Sequence, residues 1–397
     1  MKITGIETYL VGNPWKNWLF TKVITDEDVY GIGEGSLNYF AKTVQTAIHE
    51  LEHLVLGTNP FQVELLSQKL IRDVYSEGAQ IHMSAVAAIE IACWDIIGKV
   101  CGQPIYNLWG GRSQTRLRAY ANGWYRGLRT PESFAEKAAM VAQKGYTALK
   151  FDPFGDNWRT LSPSELGLSM EIIGAVREAA GDKTDLLIEG HRRFNGATAL
   201  RVAEAMAKYH PTWFEEPLDH SNISAMAELA RRSPVAISTG ESFSNKQQFA
   251  ELLQHNVIDI WQPEPLNLGG LFATRKVADS VDAHYGVVAP HSAQGPICSA
   301  ACVQLSASLP NFYLQEIFDD FNEPWERRLV DHPVEVVNGY IDISDRPGLG
   351  IDLNMEEVKR HPYHPENALP LFKPGWEIRR TQSQDGLREP DYSEVRR

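Results

Sequence analysis

A parallel β/α barrel is the fold this sequence predicts, and three observations predict it. Short apolar runs end one after another in polar residues: residues 186–188 in Glu189, 213–214 in Glu215, 235–238 in Thr239-Gly240-Glu241, 258–261 in Gln262 and Glu264, 287–289 in His291, and 312–314 in Glu316. These stops lie roughly 25 residues apart, the length of one strand plus one helix with its loops. The leading run, LLI before Glu189, is continuously apolar, as a strand buried on both faces is. Residues at the strand ends of such a barrel face one pocket, so Glu189, Glu215 and Glu241 are expected to meet there.

Taken in order, residues 2–24 and 28–35 read as strands joined by turns. NPWKNW, residues 13–18, reads as a loop whose Trp15 and Trp18 either pack on a neighbour or form a lid over a ligand. GIGEG, residues 31–35, lacks the third glycine and the following helix of a dinucleotide fingerprint. Residues 39–100 carry a helical pattern, ended by Pro104 and Gly110-Gly111. LRAYANG, residues 117–123, is the expected first barrel strand. Thr130 and Pro131 are a capping residue and a first-turn proline for a helix running to about Lys144. The second strand, residues 148–152, carries Lys150 and Asp152 on one face, and the polar insert 155–165 extends the loop after it. Beyond Glu316, residues 333–343 alternate like an edge strand, PGLG (347–350) is a turn, and 382–397 is polar enough for a tail. From Val334 the chain is assigned to the first domain again, which makes that domain discontinuous.

Three carboxylates in one pocket repel one another and are costly to desolvate, so they protonate unless a cation sits between them. An all-oxygen set suits a hard divalent ion that keeps positions for water or substrate oxygen, which favours Mg²⁺. His361 and His364, in HPYHPE, read as a surface proline-rich segment and not as metal ligands.

Composition bounds the partners. The chain has 397 residues, 43% hydrophobic and 22% charged, with a net charge of −13. That balance, with no basic face, argues against nucleic acid. The N-terminus has no signal-peptide core and no apolar run approaches membrane-spanning length. The four cysteines contain no CxxC pair, which fits free thiols in a reducing cytoplasm.

With these residues placed, the chain resembles the enolase superfamily, in its mandelate racemase and muconate lactonizing enzyme branch. The resemblance rests on SAVAAIEIACWDIIGK (84–99), YANGWY (120–125), KFDPFG (150–155), FEEPL (214–218), the TGE ending at Glu241 and the APH ending at His291. It implies a (β/α)7β barrel, residues 116–330, under an α+β capping domain, residues 1–115, to which the C-terminal segment 331–397 returns. It also implies Mg²⁺ on Glu189, Glu215 and Glu241, with Glu215 rather than Glu216 as the ligand from EEP. ANGWY, ALKFDPFG and LIEGHRRFN are most similar to sugar-acid dehydratases of the gluconate and galactonate type. The roles this implies are His291 as base, Glu264 as its orienting carboxylate, His191 as acid for the departing β-hydroxyl, and Glu316, if kept neutral, as a donor to the enediolate. Lys150, Asp152, Trp15, Trp18 and Arg192 are the residues expected near a small-molecule sugar acid, and a homo-oligomer is expected by analogy.

Two positions depart from the branch. Glu264 stands where aspartate is usual, and strand two carries Lys-x-Asp in place of the Lys-x-Lys of racemases and cycloisomerases. A poor second base on that strand favours dehydration over the alternatives, a sugar-acid epimerase or lactone cycloisomerase. A non-catalytic barrel serving as a binding or structural protein is the reading from another class.

Overall fold

The computed structural model describes residues 1–378, with the backbone of Thr381–Ser383 and Gly386–Arg388. Strands β1 (Ile3–Gly12), β2 (Asn17–Thr25) and β3 (Tyr30–Glu34) form an antiparallel meander. Helices α1 (Ala41–Val55), α2 (Val63–Arg72) and α3 (Ala79–Cys101) pack on it, followed by a short α4 (Ile105–Leu108). The glycines of GIGEG have a packing reason: a Cβ on Gly31 or Gly33 would lie 2.0 Å from the carbonyl oxygen of Ala92 or Ala88 in α3. With 23 residues, α3 is long and apolar enough to cross a membrane, against the expectation from sequence, yet 78% of its most apolar window is buried inside the protein.

The barrel has eight parallel strands: β4 (Arg116–Ala121), β5 (Ala148–Phe151), β6 (Asp185–Glu189), β7 (Trp213–Glu215), β8 (Ile237–Thr239), β9 (Ile260–Trp261), β10 (Val287–Val288) and β11 (Gln315–Ile317). Seven helices alternate with them: α5 (Pro131–Gln143), α6 (Pro163–Ala180), α7 (Gly196–Met206), α8 (Ile223–Arg232), α9 (Lys246–Leu253), α10 (Leu271–Asp282) and α11 (Pro296–Ser308). The ring closes where Val288 bridges Phe312 and where Glu316 pairs with Tyr120 on β4. The result is the (β/α)7β order. Thr130 caps α5 as expected, its side chain accepting from Ser133 N. Beneath the site the barrel is filled by Tyr120, Ala148, Leu187, Trp213, Ile260, Ala289 and Leu314, so it is a packed core and not a channel.

Two buried carboxylates lock the N-terminal unit to the barrel by capping barrel helices. Glu90 of α3 accepts from Leu271 N (2.8 Å) and Phe272 N (2.9 Å) at the start of α10. Glu34 of β3 accepts from Gly295 N (2.7 Å) and Cys298 N (2.8 Å) at the start of α11. Both meet the positive end of a helix dipole.

The expected edge strand over 333–343 is a hairpin, β12 (Val336–Val337) and β13 (Tyr340–Asp342), turned by Asn338 (φ 51°) and Gly339 (φ 77°). Asn-Gly is the sequence signature of that tight turn. β13 pairs antiparallel with the first half of β4, while the second half pairs with β11. After α12 (Met355–Arg360) the chain reaches the N-terminal sheet, where Gly12 N donates to His361 O and Asn17 to His364 O. In the expected tail, β14 (Thr381–Ser383) and β15 (Gly386–Arg388) pair antiparallel, and the remainder of 382–397 lies outside the described residues.

Candidate active site

Parallel register places Glu189 opposite Glu215, and Glu215 opposite Ser238. Side chains at matched positions point the same way, so both carboxylates face inward. Gly240, at φ 131°, breaks the alternation and lets Glu241 join them. The three offer oxygens that all lie within 4.8 Å of one another. Burial raises each of the three to about 7. Glu189 Oε2 and Glu241 Oε2 are buried without a hydrogen bond, held only by charge contacts. Oxygens on opposite sides of a hard divalent ion lie about 4–5 Å apart. The trio therefore fits such an ion in spacing, donor type and unmet charge. Glu216 is turned away, accepting from Ser242 Oγ (2.6 Å) and Thr239 Oγ1 (3.1 Å).

Lys150 lies among these acids. Its ammonium is 3.1 Å from both Glu189 and Glu316, 3.8 Å from Glu241, and bonded to Glu215. Burial alone would lower its pKa, but Glu215 and Glu316 outweigh burial and hold it well above the ordinary lysine value.

His291, at the mouth of β10, has Nδ1 on Glu264 and Nε2 3.2 Å from Glu241 and 3.7 Å from Glu316. The longer Glu264 side chain thus still reaches the imidazole. Burial opposes protonation of His291, yet Glu241, Glu316 and Glu264 raise its pKa well above the ordinary value. Glu316 is fully buried, accepts from Asn122 Nδ2 and Ser292 N (both 2.8 Å), and contacts Lys150. Burial would raise it, but Lys150 and His291 bring it down to about 2. Lys150 and His291 therefore act against the neutral form of Glu316 that a donor role to the enediolate requires.

On the opposite wall His191 Nδ1 lies 2.6 Å from Asp152. Asp152 also takes bonds from Arg193 and from Phe154 N (2.9 Å), so its oxygens are occupied by protein groups. Burial raises the Asp152 pKa, but Arg193 and His191 bring it below the usual aspartate value. His191 and Arg192 both have left-handed backbones, φ 45° and 59°, a strain of about 1–3 kcal/mol each. Their N–H groups are pinned at 2.6 Å by Glu189 Oε1 and by Glu216 O. Arg192 points to Glu216 (3.9 Å) and His220 (3.1 Å) and is 40% exposed, whereas Arg193 is buried against Asp152 and the carbonyls of Gly155 and Gly190.

Trp15 is stacked 4.8 Å from Phe318 and clustered with Ala293 and Leu369. Trp18 lies inside β2, 1% exposed, against Phe20 and Trp325. The loop is therefore packed and not an exposed lid. Sequence reasoning missed Asn122 and Trp376, whose ring stands edge-on to His191 at 6.0 Å; the Arg192-Arg193 pair reads from sequence as a specificity element, whereas Arg193 is buried on Asp152. ANG offers a weak signal for Asn122; nothing local marks Trp376.

Residues 15–110 match the family model for the mandelate racemase / muconate lactonizing enzyme N-terminal domain, and residues 133–358 the model for the enolase C-terminal domain-like family. The chain is 32% identical over 369 residues to a D-gluconate dehydratase of Thermoproteus tenax, covering 92% of this chain and 74% of that protein. It is 32% identical over 388 residues to a D-gluconate/D-galactonate dehydratase of Picrophilus torridus, covering 95% and 98%. The crystal structure of a mandelate racemase/muconate lactonizing enzyme from Jannaschia sp. CCS1 superposes with a TM-score of 0.85 at 31% identity, covering 92% of this chain and 98% of that one.

Proposed function

This chain belongs to the mandelate racemase/muconate lactonizing enzyme group of the enolase superfamily, and on that premise we propose that it is a Mg²⁺-dependent dehydratase of a sugar acid. One observation carries the reading. His191 and His291 stand at the ends of the third and seventh of eight strands, on opposite walls, each with Nδ1 on its own buried carboxylate and the three-glutamate group nearby. On this reading the two Nε2 atoms face a substrate from opposite sides, His291 Nε2 beside Glu241 at 3.2 Å.

His291 Nε2 takes the proton α to the substrate carboxylate, and Glu264 fixes the tautomer that makes Nε2 basic. The excess negative charge then falls on the substrate carboxylate oxygens. Glu189, Glu215 and Glu241 would hold Mg²⁺, which when bound would supply Lewis-acid stabilisation of that charge. The Lys150 ammonium adds a fixed positive charge at the same place. His191 Nε2 gives its proton to the β-hydroxyl as the C–O bond breaks, releasing water. The resulting enol tautomerises to a 2-keto-3-deoxy acid. Trp15, stacked on Phe318 and clustered with Ala293 two residues past His291, is the aromatic we assign to the substrate side.

An isomerase would need a second base from β5. Lys150 is held by four carboxylates and Asp152 by His191 and Arg193, which speaks against it. The test is incubation of aldonic and aldaric acids with the protein and Mg²⁺ in D₂O, with semicarbazide detection of keto acid. A dehydratase yields semicarbazone and an isomerase returns product of unchanged formula; neither outcome with any acid sinks both.

A further inference from the structure

After α12 the chain does not end on the N-terminal sheet. Residues 361–377 form a strap that leaves that sheet and crosses to the barrel mouth. Its first anchors are Gly12 N to His361 O (2.9 Å), Asn17 with His364 O and Asn367 O, and Asn38, which exchanges two bonds with the Leu369 backbone. A Cβ on Gly12 would lie 2.0 Å from Pro362 O, so strap and β1 touch backbone to backbone. Its last anchors are on the loops after β4 and β5: Gly127 N donates to Glu377 O (3.0 Å), Phe372 meets Trp158 edge to face at 4.8 Å, and Trp376 Nε1 donates to Gly155 O (3.1 Å).

The last of these contacts bears on the chemistry. Gly155 O also accepts from Arg193, which holds Asp152, which holds His191 Nδ1. The Trp376 indole is 2% exposed and perpendicular (89°) to the His191 imidazole at 6.0 Å, edge-to-face geometry of the attractive kind. The imidazole is therefore fixed at Nδ1 by Asp152 and braced through its ring by Trp376, and only Nε2 remains open. A non-glycine residue with a left-handed backbone persists only where its surroundings over-determine it, and the Trp376 ring is part of the surroundings of His191.

We propose that Trp376 is a positioning residue for His191, delivered to the active site by the C-terminal strap, so that the strap completes the proton-donating half of the site. This rests on His191 being the proton donor. Proton abstraction by His291, on the far wall, is independent of it.

The experiment measures two rates in one sample in D₂O: keto-acid formation, and exchange of the α-proton in the remaining substrate. Their ratio does not depend on how much of a variant is folded, since both need folded sites. In Trp376→Ala the ratio of exchange to elimination should rise about tenfold or more, because a displaced acid slows only the second step. Trp376→Phe, which keeps an aromatic edge, should stay within about threefold of wild type. If Trp376→Ala is insoluble, Trp376→Leu is held to the same criterion. A ratio unchanged in the non-aromatic variant overturns the proposal, even if both rates fall together. If the wild-type protein dehydrates no sugar acid, it is the proposed function that fails, and that is seen before any variant is made.

Discussion

Glu264→Gln isolates the base from the rest of the site. Glu264 is 1% exposed, its Oε2 on His291 Nδ1 and its Oε1 without a partner, so the isosteric amide leaves no other bond broken. Two effects separate. An amide that presents its oxygen to Nδ1 preserves the active tautomer but removes a charge; one that presents NH₂ forces the proton onto Nε2 and abolishes the base. A comparable tautomer error in a serine-protease triad costs about 10⁴ in kcat, so a loss of about 10²–10⁴ is expected here with KM nearly unchanged. The charge effect has its own sign. Glu264 helps raise the His291 pKa, and His291 must be neutral to accept a proton. Activity rises with pH as His291 loses its proton, so removing Glu264 moves that rise to lower pH. A unit charge about 4 Å away at an effective dielectric of about 20 is worth about 4 kcal/mol, a ceiling of about three pH units. A pH profile of kcat/KM over pH 5–10, with melting curves of both proteins, measures both effects. A variant with kcat within about threefold of wild type and an unmoved profile would refute the assignment of His291 and Glu264.

Chelation should abolish turnover, and Mg²⁺ at a hundredfold excess over its Kd should stabilise the fold by about 2.7 kcal/mol. Glu189, Glu215 and Glu241 sit near 7 when metal-free, above their unfolded values, so the stability they contribute is present at low pH and lost as pH rises from about 4.5 to 7. The rise in Tm on adding Mg²⁺ should therefore be larger at pH 8 than at pH 5 by calorimetry. Lys150→Met leaves four acids without their internal cation and should destabilise the metal-free protein by about 3–5 kcal/mol, read by urea unfolding, with Mg²⁺ recovering part of the loss. Trp15→Ala should raise KM with little change in Tm, whereas Trp18→Ala should cost about 3–5 kcal/mol of stability through a core cavity. The opposite pattern would return Trp18 to the pocket.

What the sequence made legible was local. Glu189, Glu215, Glu241, His291 and Glu316 end apolar runs, and strand periodicity with barrel closure brings such ends together. What escaped depends on contacts between distant segments. Trp376 and His191 are 185 positions apart, and no pattern near residue 376 marks it. Trp18 lies in a segment that reads as a turn but is pulled into β2 by pairing with Val11. The burial of Glu316 is legible in sequence, while the nearby Lys150 and His291 cations, which oppose the effect of burial, are not. The hairpin at Asn338-Gly339 was legible and passed over, since alternation through 333–343 hid the turn.

The central claim is that three carboxylates on adjacent strands hold a divalent ion for this chemistry. Mn²⁺ titration followed by electron paramagnetic resonance tests it without any substrate: one Mn²⁺ should bind per chain, Mg²⁺ should displace it, and Glu215→Gln should weaken it at least tenfold, a change of about 1.4 kcal/mol. No bound Mn²⁺, or binding that Glu215→Gln leaves untouched, would contradict it.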